Sequence, residues 1–214
     1  MKNILLTVFA ILIILPLSAQ EGAKIGFRIS PLISFGTIID DSTQNRLDIG
    51  QGSKIGFGFG VVGSYGFTEN YGIHTGLNIV YRGFTSDQGG FSSRFRYTTV
   101  EIPVALKLRS NAINGGNIHV KGIFGGSIDL NVGFKGVTEV SGTETETRST
   151  DNINLFNASF IAGGGIDYIL DGVGMFDVVV MYHNGLLNAN DKEDGLVNTI
   201  VRLNYISLDL GYYF

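Results

Sequence analysis

Cysteine is absent from the 214-residue sequence. Without a thiol, the chain has no disulfide, no thiolate metal site, no thiol nucleophile and no lipid-modified N-terminal cysteine. Charged residues are also few, at 16% of the chain, and they sum to −4. This acidic balance argues against a nucleic-acid partner, which favours a basic protein face.

Long apolar runs are scarce as well. After the first 20 residues none is long enough for a transmembrane helix, although 44% of all residues are hydrophobic. Proline occurs 3 times and glycine 31 times. A soluble globule and a helical membrane protein both fit this balance poorly. A membrane-spanning β-barrel fits it well, because its apolar residues occupy alternate positions.

The one sustained apolar run covers residues 4–15 and follows a single lysine, Lys2. A proline ends the run, and Ala19 offers a small residue for cleavage. This pattern predicts a secretory signal peptide over residues 1–19, leaving residues 20–214 as one domain. A retained membrane anchor is the alternative, but the run is short for a span. Removing Lys2 gives a mature charge of −4 − 1 = −5.

Eight later segments alternate apolar residues with small or polar ones, which is the pattern of β-strands with one apolar face. The second segment is the clearest, because Ile55, Phe57 and Phe59 share one face while Gly56 and Gly58 lie on the other. The eight predicted strands are 23–35, 55–67, 71–82, 100–108, 118–130, 156–168, 176–183 and 206–214.

The second face of these strands mixes glycine with single charges of both signs. Such a face suits the interior of a narrow barrel, where glycine leaves room for long side chains and opposite charges pair. The apolar face then meets lipid. The predicted interior charges are Lys24, Arg28, Arg82, Lys107 and Lys121, paired with Glu101, Asp129, Asp167, Asp177 and Asp209.

The connections between these strands alternate in length. A transmembrane barrel has long loops outside and tight turns in the periplasm. The pattern therefore predicts an all-β, eight-stranded, antiparallel up-and-down transmembrane barrel with both termini periplasmic. The stretch 137–150 is predicted to be a mobile or hairpin-extending outer loop. The long connections are 36–52, 83–96, 131–154 and 185–198, and the short ones are 68–70, 110–116 and 170–174.

Residues 97–107 read YTTVEIPVALK. They resemble the Y-x-x-E-I-P-x-x-x-K stretch of PorT-like outer-membrane β-barrel proteins of Bacteroidota. Residues 18–20, 160–168 and 206–214 are similar to theirs as well. The resemblance implies an eight-stranded barrel in the outer membrane and little about activity. The apolar and aromatic residues Leu210, Tyr212 and Phe214 also resemble the C-terminal signal that the outer-membrane assembly machinery reads.

Several stretches of the sequence resemble known binding motifs. Gly58, Gly60 and Gly63 match G-x-G-x-x-G, but they lie inside an alternating strand with no helix following, so a dinucleotide site is not predicted. The triplet 163–165 has the same interpretation. The acidic stretch 188–195 lacks the spacing of a calcium loop and is predicted to be a solvated turn.

The three histidines, His74, His119 and His183, fall on different strands and are predicted to be hydrogen-bonding interior residues rather than metal ligands. His74 and His119 are expected near the periplasmic ends of their strands, and His183 near the outer end. An enzyme would need a nucleophile and a base at the outer rim. His183 with Ser92 or Ser93 and Asp151 or Asp191 is the grouping considered.

The sequence thus predicts a non-enzymatic integral outer-membrane barrel without cofactor, metal or catalytic residues. Its expected partners are outer-membrane lipid, the assembly machinery and proteins at the extracellular loops. A narrow pore or small-molecule binder using the lumen is the first alternative. A barrel enzyme and a soluble periplasmic barrel that holds a lipid are the others.

Overall fold

The computed structural model describes residues 22–40, 45, 51–88, 91–140, 143–148, 153–189 and 199–214. The predicted signal peptide lies outside these residues and stays a prediction. The elements are β1 (Ala23–Asp40), β2 (Gln51–Gly66), β3 (Tyr71–Gln88), β4 (Phe91–Arg109), a 3₁₀ turn (Ile113–Gly115), β5 (Ile118–Val140), β6 (Thr143–Thr147), β7 (Phe156–Leu170), β8 (Gly174–Gly185) and β9 (Thr199–Tyr213).

Eight of the strands close into a ring. Strands β1 to β5 pair with their neighbours in sequence, β5 continues to β7, β8 and β9, and β9 returns to pair with β1. All of these pairings are antiparallel, and closure leaves no unpaired edge. The predicted eight-stranded up-and-down barrel is confirmed. Within the described residues, no helix has the length and apolarity needed to cross a membrane.

The two ends of the barrel differ. We call the end that holds Ala23, Tyr213 and the short connections the turn end, and the opposite end the loop end. At the loop end β3 and β4 run on as a hairpin to Gln88 and Phe91, and β6 pairs with β5 from Gly136 to Val140. The prediction of 83–96 and 131–154 as loops was therefore wrong for most of their length. The hairpin-extending alternative for 137–150 is confirmed.

The alternation sorts side chains as predicted. Outward residues stay apolar and exposed, with Ile55 85% and Phe27 61% accessible, whereas Arg82 and Asp129 are buried at 2% and 0%. On β3 the outward apolar positions run from Tyr71 to Tyr81. Ten residues of a tilted strand rise about 25 Å, which matches the apolar band of a transmembrane barrel.

Pro103 occupies the interior of β4, a position that proline usually avoids because it cannot donate a ladder hydrogen bond. The paired residues of β3 and β4 break off at Thr75 and Val104 and resume at Asn78 and Glu101. On the other side of β4 the ladder with β5 is continuous through Pro103. The proline therefore interrupts the pairing of β4 with β3 only, and the pairing of β4 with β5 is intact.

Candidate functional site

The lumen holds a set of buried charges, which we call the lumen charge ladder. Four cations and five carboxylates of the described chain are buried there, together with two histidines. Because isolated buried charges are costly, each needs a partner of opposite sign. The members are Arg28, Arg82, Lys107, Lys121, Glu101, Asp129, Asp167, Asp177, Asp209, His74 and His183.

Toward the turn end, Asp167 and Asp177 lie directly opposite each other on β7 and β8. Like charges in this position repel. Lys121 lies between them, with its Nζ 2.6 Å from Asp167 Oδ1 and in contact with Asp177 as well. Lys107 adds a second cation, 2.7 Å from Asp167 Oδ2. Two lysines from β4 and β5 therefore neutralise a carboxylate pair that the register creates.

A second carboxylate pair lies toward the loop end, where Glu101 faces Asp129 across β4 and β5. Here the two groups have separate partners. Arg82 contacts Asp129 at 3.1 Å, and the hydroxyls of Ser127 and Ser159 each donate to it at 2.7 Å.

Glu101 accepts a hydrogen bond from the Tyr205 hydroxyl at 2.6 Å and lies 3.3 Å from His183 Nδ1. The His183 ring stacks on Tyr205, with centroids 3.9 Å apart. Farther round the wall, Arg28 pairs with Asp209 at 3.1 Å. Of the predicted interior charges, Lys24 has no ion pair among the described residues and is half-buried at the turn end.

Apolar residues close the lumen at the loop end. They form one buried cluster, the apolar plug, supported by Phe95 and Phe134. Gly36 makes room for it, since a Cβ there would meet the Phe84 ring at 2.7 Å. The buried members are Ile38, Phe84, Tyr97, Ile153, Ala189, Val201 and Leu203.

Asparagine side chains pin the chain around this plug. The Asn131 amide donates to the Asn154 carbonyl at 2.9 Å, and the Asn154 amide donates to the Asn188 carbonyl at 3.0 Å. The Val201 N–H donates to the Asn188 side chain at 2.8 Å. Segments that the sequence assigned to outer loops therefore reach into the barrel mouth and help to cover it.

At the turn end the barrel opens into a cavity of about 480 Å³, lined in part by Lys24, Lys107 and Arg109. Met175, which also borders this cavity, packs with Val62 and Tyr213 as a second apolar layer. The lumen charge ladder thus lies between two apolar layers, except that Lys107 also borders the cavity at the turn end.

The structure does not bring the three histidines together. His74 is buried in β3, and His119 lies at the turn end with Nδ1 2.9 Å from the Ser110 carbonyl oxygen. His183 contacts Glu101 instead. The described part of the chain contains no group of three His, Asp or Glu side chains placed to hold a metal ion.

The rim grouping considered for an enzyme is not assembled among the described residues. Ser93 contacts the Thr138 hydroxyl at 3.3 Å, and it lies eight residues along β4 from Glu101, the partner of His183. Eight strand residues span on the order of 26 Å, so neither Ser92 nor Ser93 reaches His183. Asp151 and Asp191 lie outside the described residues.

The remaining motifs have structural places. Gly58, Gly60 and Gly63 lie within β2, and the triplet 163–165 lies within β7, so neither precedes a helix. At Gly60 a Cβ would meet the Leu77 carbonyl oxygen at 2.2 Å, which shows that the glycine permits close packing inside the wall. Most of the acidic stretch 188–195 lies outside the described residues.

Sequence reasoning missed one group of side chains on the outside of the barrel. Lys54, Arg94, Arg96 and Lys135 line a common cleft at the loop end, and we call them the rim cluster. Arg94, Arg96 and Lys135 were missed because 83–96 and 131–154 were interpreted as loops, in which side-chain direction cannot be assigned. Lys54 was missed because it lies between the predicted loop 36–52 and the predicted strand 55–67. The available signal was the change from apolar to basic residues at outward positions of β4 and β5.

Comparison with known proteins places this architecture. The family described as "Outer membrane protein beta-barrel domain" matches residues 18–191. No curated protein matches the chain. Among solved structures, the outer membrane protein OprG from Pseudomonas aeruginosa is similar, with a TM-score of 0.51 and 13% identity over 90% of this chain and 97% of that one.

Two further structures are similar over nearly their whole length. Ail, the attachment invasion locus protein of Yersinia pestis, has a TM-score of 0.41 and 18% identity, covering 91% of this chain and 100% of that one. Neisserial surface protein A has a TM-score of 0.44 and 12% identity, with the same coverages of 91% and 100%.

Proposed function

Because the chain belongs to the outer membrane protein beta-barrel domain family, we propose that it is a closed, non-enzymatic outer-membrane barrel that acts through its loop end. The localisation in the outer membrane follows from the family, and the closed lumen and the role of the loop end are the proposal. The observation that supports it is the lumen charge ladder, whose charges pair with one another between two apolar layers.

Closure of the lumen follows from volume and charge. Eight strands leave an interior that side chains just fill. Here the long side chains of Arg82, Lys107 and Lys121 extend across it into ion pairs. An ion that entered from the turn end would have to separate these buried ion pairs, and it would then meet the apolar plug.

The same geometry supports the absence of enzymatic activity. His183, the one histidine near the loop end, contacts Glu101 and stacks on Tyr205, so it faces the lumen and not a substrate at the rim. A general base must lie within hydrogen-bond reach of the nucleophile that it activates, and Ser92 and Ser93 are too far away. Surfaces for partner proteins are therefore proposed on the loop end.

Four finer assignments belong to this proposal. We infer that residues 1–19 are a cleaved signal peptide, that the last strand is read by the assembly machinery, and that the turn end faces the periplasm. We also infer membership of the PorT-like kind of barrel, supported by the resemblance of residues 97–107. Mass measurement of the protein purified from outer membranes tests the first assignment, and a mature chain that begins at Gln20 is expected.

The functional test uses the barrel refolded in detergent and then placed in a planar bilayer. We expect little conductance, and no turnover of ester, peptide or phospholipid substrates. Steady, large conductance would overturn closure in favour of the pore hypothesis. Turnover that is abolished in His183→Ala would overturn the non-enzymatic assignment.

A further inference from the structure

Basic side chains replace apolar ones on the outside of the barrel at the loop end. On β5 the exposed Val132 is followed by Lys135. On β2, Lys54 lies where the register with β3 shifts between Ser53 and Phe57, so strict alternation is interrupted there, and it lines the same cleft as Lys135. On β4, Thr98 and Arg96 occupy successive outward positions, and Arg96 is the one nearer the loop end. The rim cluster thus lies directly beyond the apolar band, at the level where lipid headgroups begin.

The register explains why residues of separate strands meet there. Gly83 of β3 pairs with Arg96 and carries no side chain, and Lys54 of β2 lines the same cleft as Arg96. The Ser34 hydroxyl holds the two backbones together, because it donates to the Gly83 carbonyl at 2.6 Å and lies 3.1 Å from the Lys54 carbonyl. The resulting cleft has a volume of about 230 Å³.

The cluster carries more positive than negative charge. Glu144 and Glu146 of β6 border the same cleft, where Glu144 contacts Arg94 and Glu146 lies 2.8 Å from Lys135. Lys54 and Arg96 have no ion-pair partner among the residues that the structure describes. Four cations and two carboxylates leave a net charge of +4 − 2 = +2 around the cleft.

The crowding of cations affects the pKa of Lys54. Partial burial, followed by the nearby charges of Arg96, Arg94 and Lys135, lowers the pKa of Lys54 below its ordinary value. An anion in the cleft would relieve this repulsion. A phosphate group suits the geometry, since its oxygens accept several charge-assisted hydrogen bonds from a guanidinium and an ammonium at once.

We propose that the rim cluster is a binding site for the phosphate group of a phosphorylated lipid headgroup, held by Lys54 and Arg96. The lipid is the source because the cluster lies beside the apolar band, where acyl chains pack against Ile55 and Val132 while the headgroup reaches the cations. The carboxylates of Glu144 and Glu146 compete with the phosphate for Arg94 and Lys135. Of this proposal, only the choice of the membrane leaflet that supplies the lipid depends on the orientation of the barrel given under the proposed function.

The test is native mass spectrometry of the refolded barrel in detergent with lipid A, a bisphosphorylated glucosamine lipid, as the probe. Dephosphorylated lipid A and inorganic phosphate are the comparison ligands. We expect lipid A to bind, dephosphorylated lipid A to bind about tenfold more weakly, and inorganic phosphate to compete poorly. Because the assay needs no membrane orientation, it can fail while the proposed function stands.

Matched variants sharpen this test. Lys54→Gln with Arg96→Gln should weaken lipid A binding about tenfold or more, whereas Lys54→Arg with Arg96→Lys should retain most of it. Glu144→Gln with Glu146→Gln should strengthen it, because the competing carboxylates are gone. Each variant is first checked for the heat-sensitive gel mobility of a folded barrel.

Three results would overturn the proposal. Equal binding of phosphorylated and dephosphorylated lipid would show that the acyl chains, and not the phosphate, are recognised. Unchanged lipid A binding in the folded double glutamine variant would exclude the rim cluster as the site. Inorganic phosphate that competes as well as lipid A would exclude the lipid as the specific source.

Discussion

Two groups of ion pairs in this barrel differ most clearly in burial. Lys121 with Asp167 and Asp177 is shut inside the lumen, with every side chain at most 1% accessible. Arg148 with Glu146 lies on the β6 hairpin, at 70% and 42%. The same chemistry therefore has different consequences. A buried charge that loses its partner is not solvated by water, whereas an exposed charge that loses its partner is.

The sharpest way to test this difference is to remove the shared lysine. Lys121→Met leaves Asp167 and Asp177 facing each other with Lys107 as their remaining cation. We expect a loss of about 3–5 kcal/mol in the free energy of unfolding, as for other broken buried pairs. Urea titration in lipid vesicles, read by the gel mobility of the folded barrel, measures it.

Adding Asp177→Asn to Lys121→Met is the control for this variant. Asp167 then keeps Lys107 and no longer faces a second carboxylate, so much of the loss should be recovered. A double variant as unstable as Lys121→Met would show that packing, and not charge, is what the lysine supplies.

The next largest loss of stability is expected when an unpaired charge is placed on the outer, lipid-facing side of the barrel. Leu77 and Val104 are outward and about half exposed, and each should meet lipid. Leu77→Arg or Val104→Arg should therefore cost about 2–4 kcal/mol and impair assembly into the membrane. Membrane fractionation and heat-modified gel mobility provide the measurement.

The neighbouring inward residue is the comparison for that pair of variants. Asn78→Ser keeps a small polar group in the lumen and should assemble nearly as the parent does. If the arginine variants assembled normally while Asn78→Ser failed, the assignment of the inner and outer faces would be reversed.

A single hydrogen bond within the lumen should have an intermediate effect. Tyr205→Phe removes the hydroxyl that donates to Glu101 at 2.6 Å. A hydrogen bond to a charged group contributes about 1.5–3 kcal/mol, so we expect a loss in that range by urea titration. Tyr182→Phe removes an exposed hydroxyl and should change stability by less than about 0.5 kcal/mol. Similar losses in both variants would contradict the role given to burial.

Loss of the exposed ion pairs on the β5–β6 hairpin should change the free energy of unfolding least. The order of this hairpin should instead depend most on pH and salt. Contacts with Lys135 and Arg148 lower the pKa of Glu146. Its contribution is therefore present at neutral pH and is lost as the pH falls through that lowered pKa. We expect limited proteolysis at 143–148 to speed up at acidic pH or high salt, while the lumen charge ladder keeps the barrel folded.

Glu144→Gln is the matched variant for the hairpin. Its pair with Arg94 is about half exposed, so the variant should cost no more than about 1 kcal/mol. A larger loss of unfolding free energy would contradict this expectation, and so would a rate of hairpin cleavage that does not change with salt or pH. Either result would show that the exterior ion pairs stabilise the hairpin as strongly as the lumen pairs stabilise the barrel.

Much of this architecture is predictable from the sequence because a barrel strand has a strict period of two. Once Ile55, Phe57 and Phe59 define the outer face of β2, every inward position follows. The set of interior charges was predicted correctly in this way, except that Lys24 has no ion pair among the described residues. Strand ends were less predictable, because the hairpins beyond the apolar band lack the apolar alternation that marks a strand.

The sequence by itself determined the number of ring strands, their faces and which charges lie inside, since all three depend on alternation and connection length along one chain. The partners were decided only in three dimensions. Three arrangements depend on strand register and barrel closure: Lys121 bridges Asp167 and Asp177, Glu101 is held by Tyr205 and His183, and Lys54 lines one cleft with Arg96. The physical reason is that these arrangements join residues from 96 − 54 = 42 to 205 − 101 = 104 positions apart, a relation that no local pattern encodes.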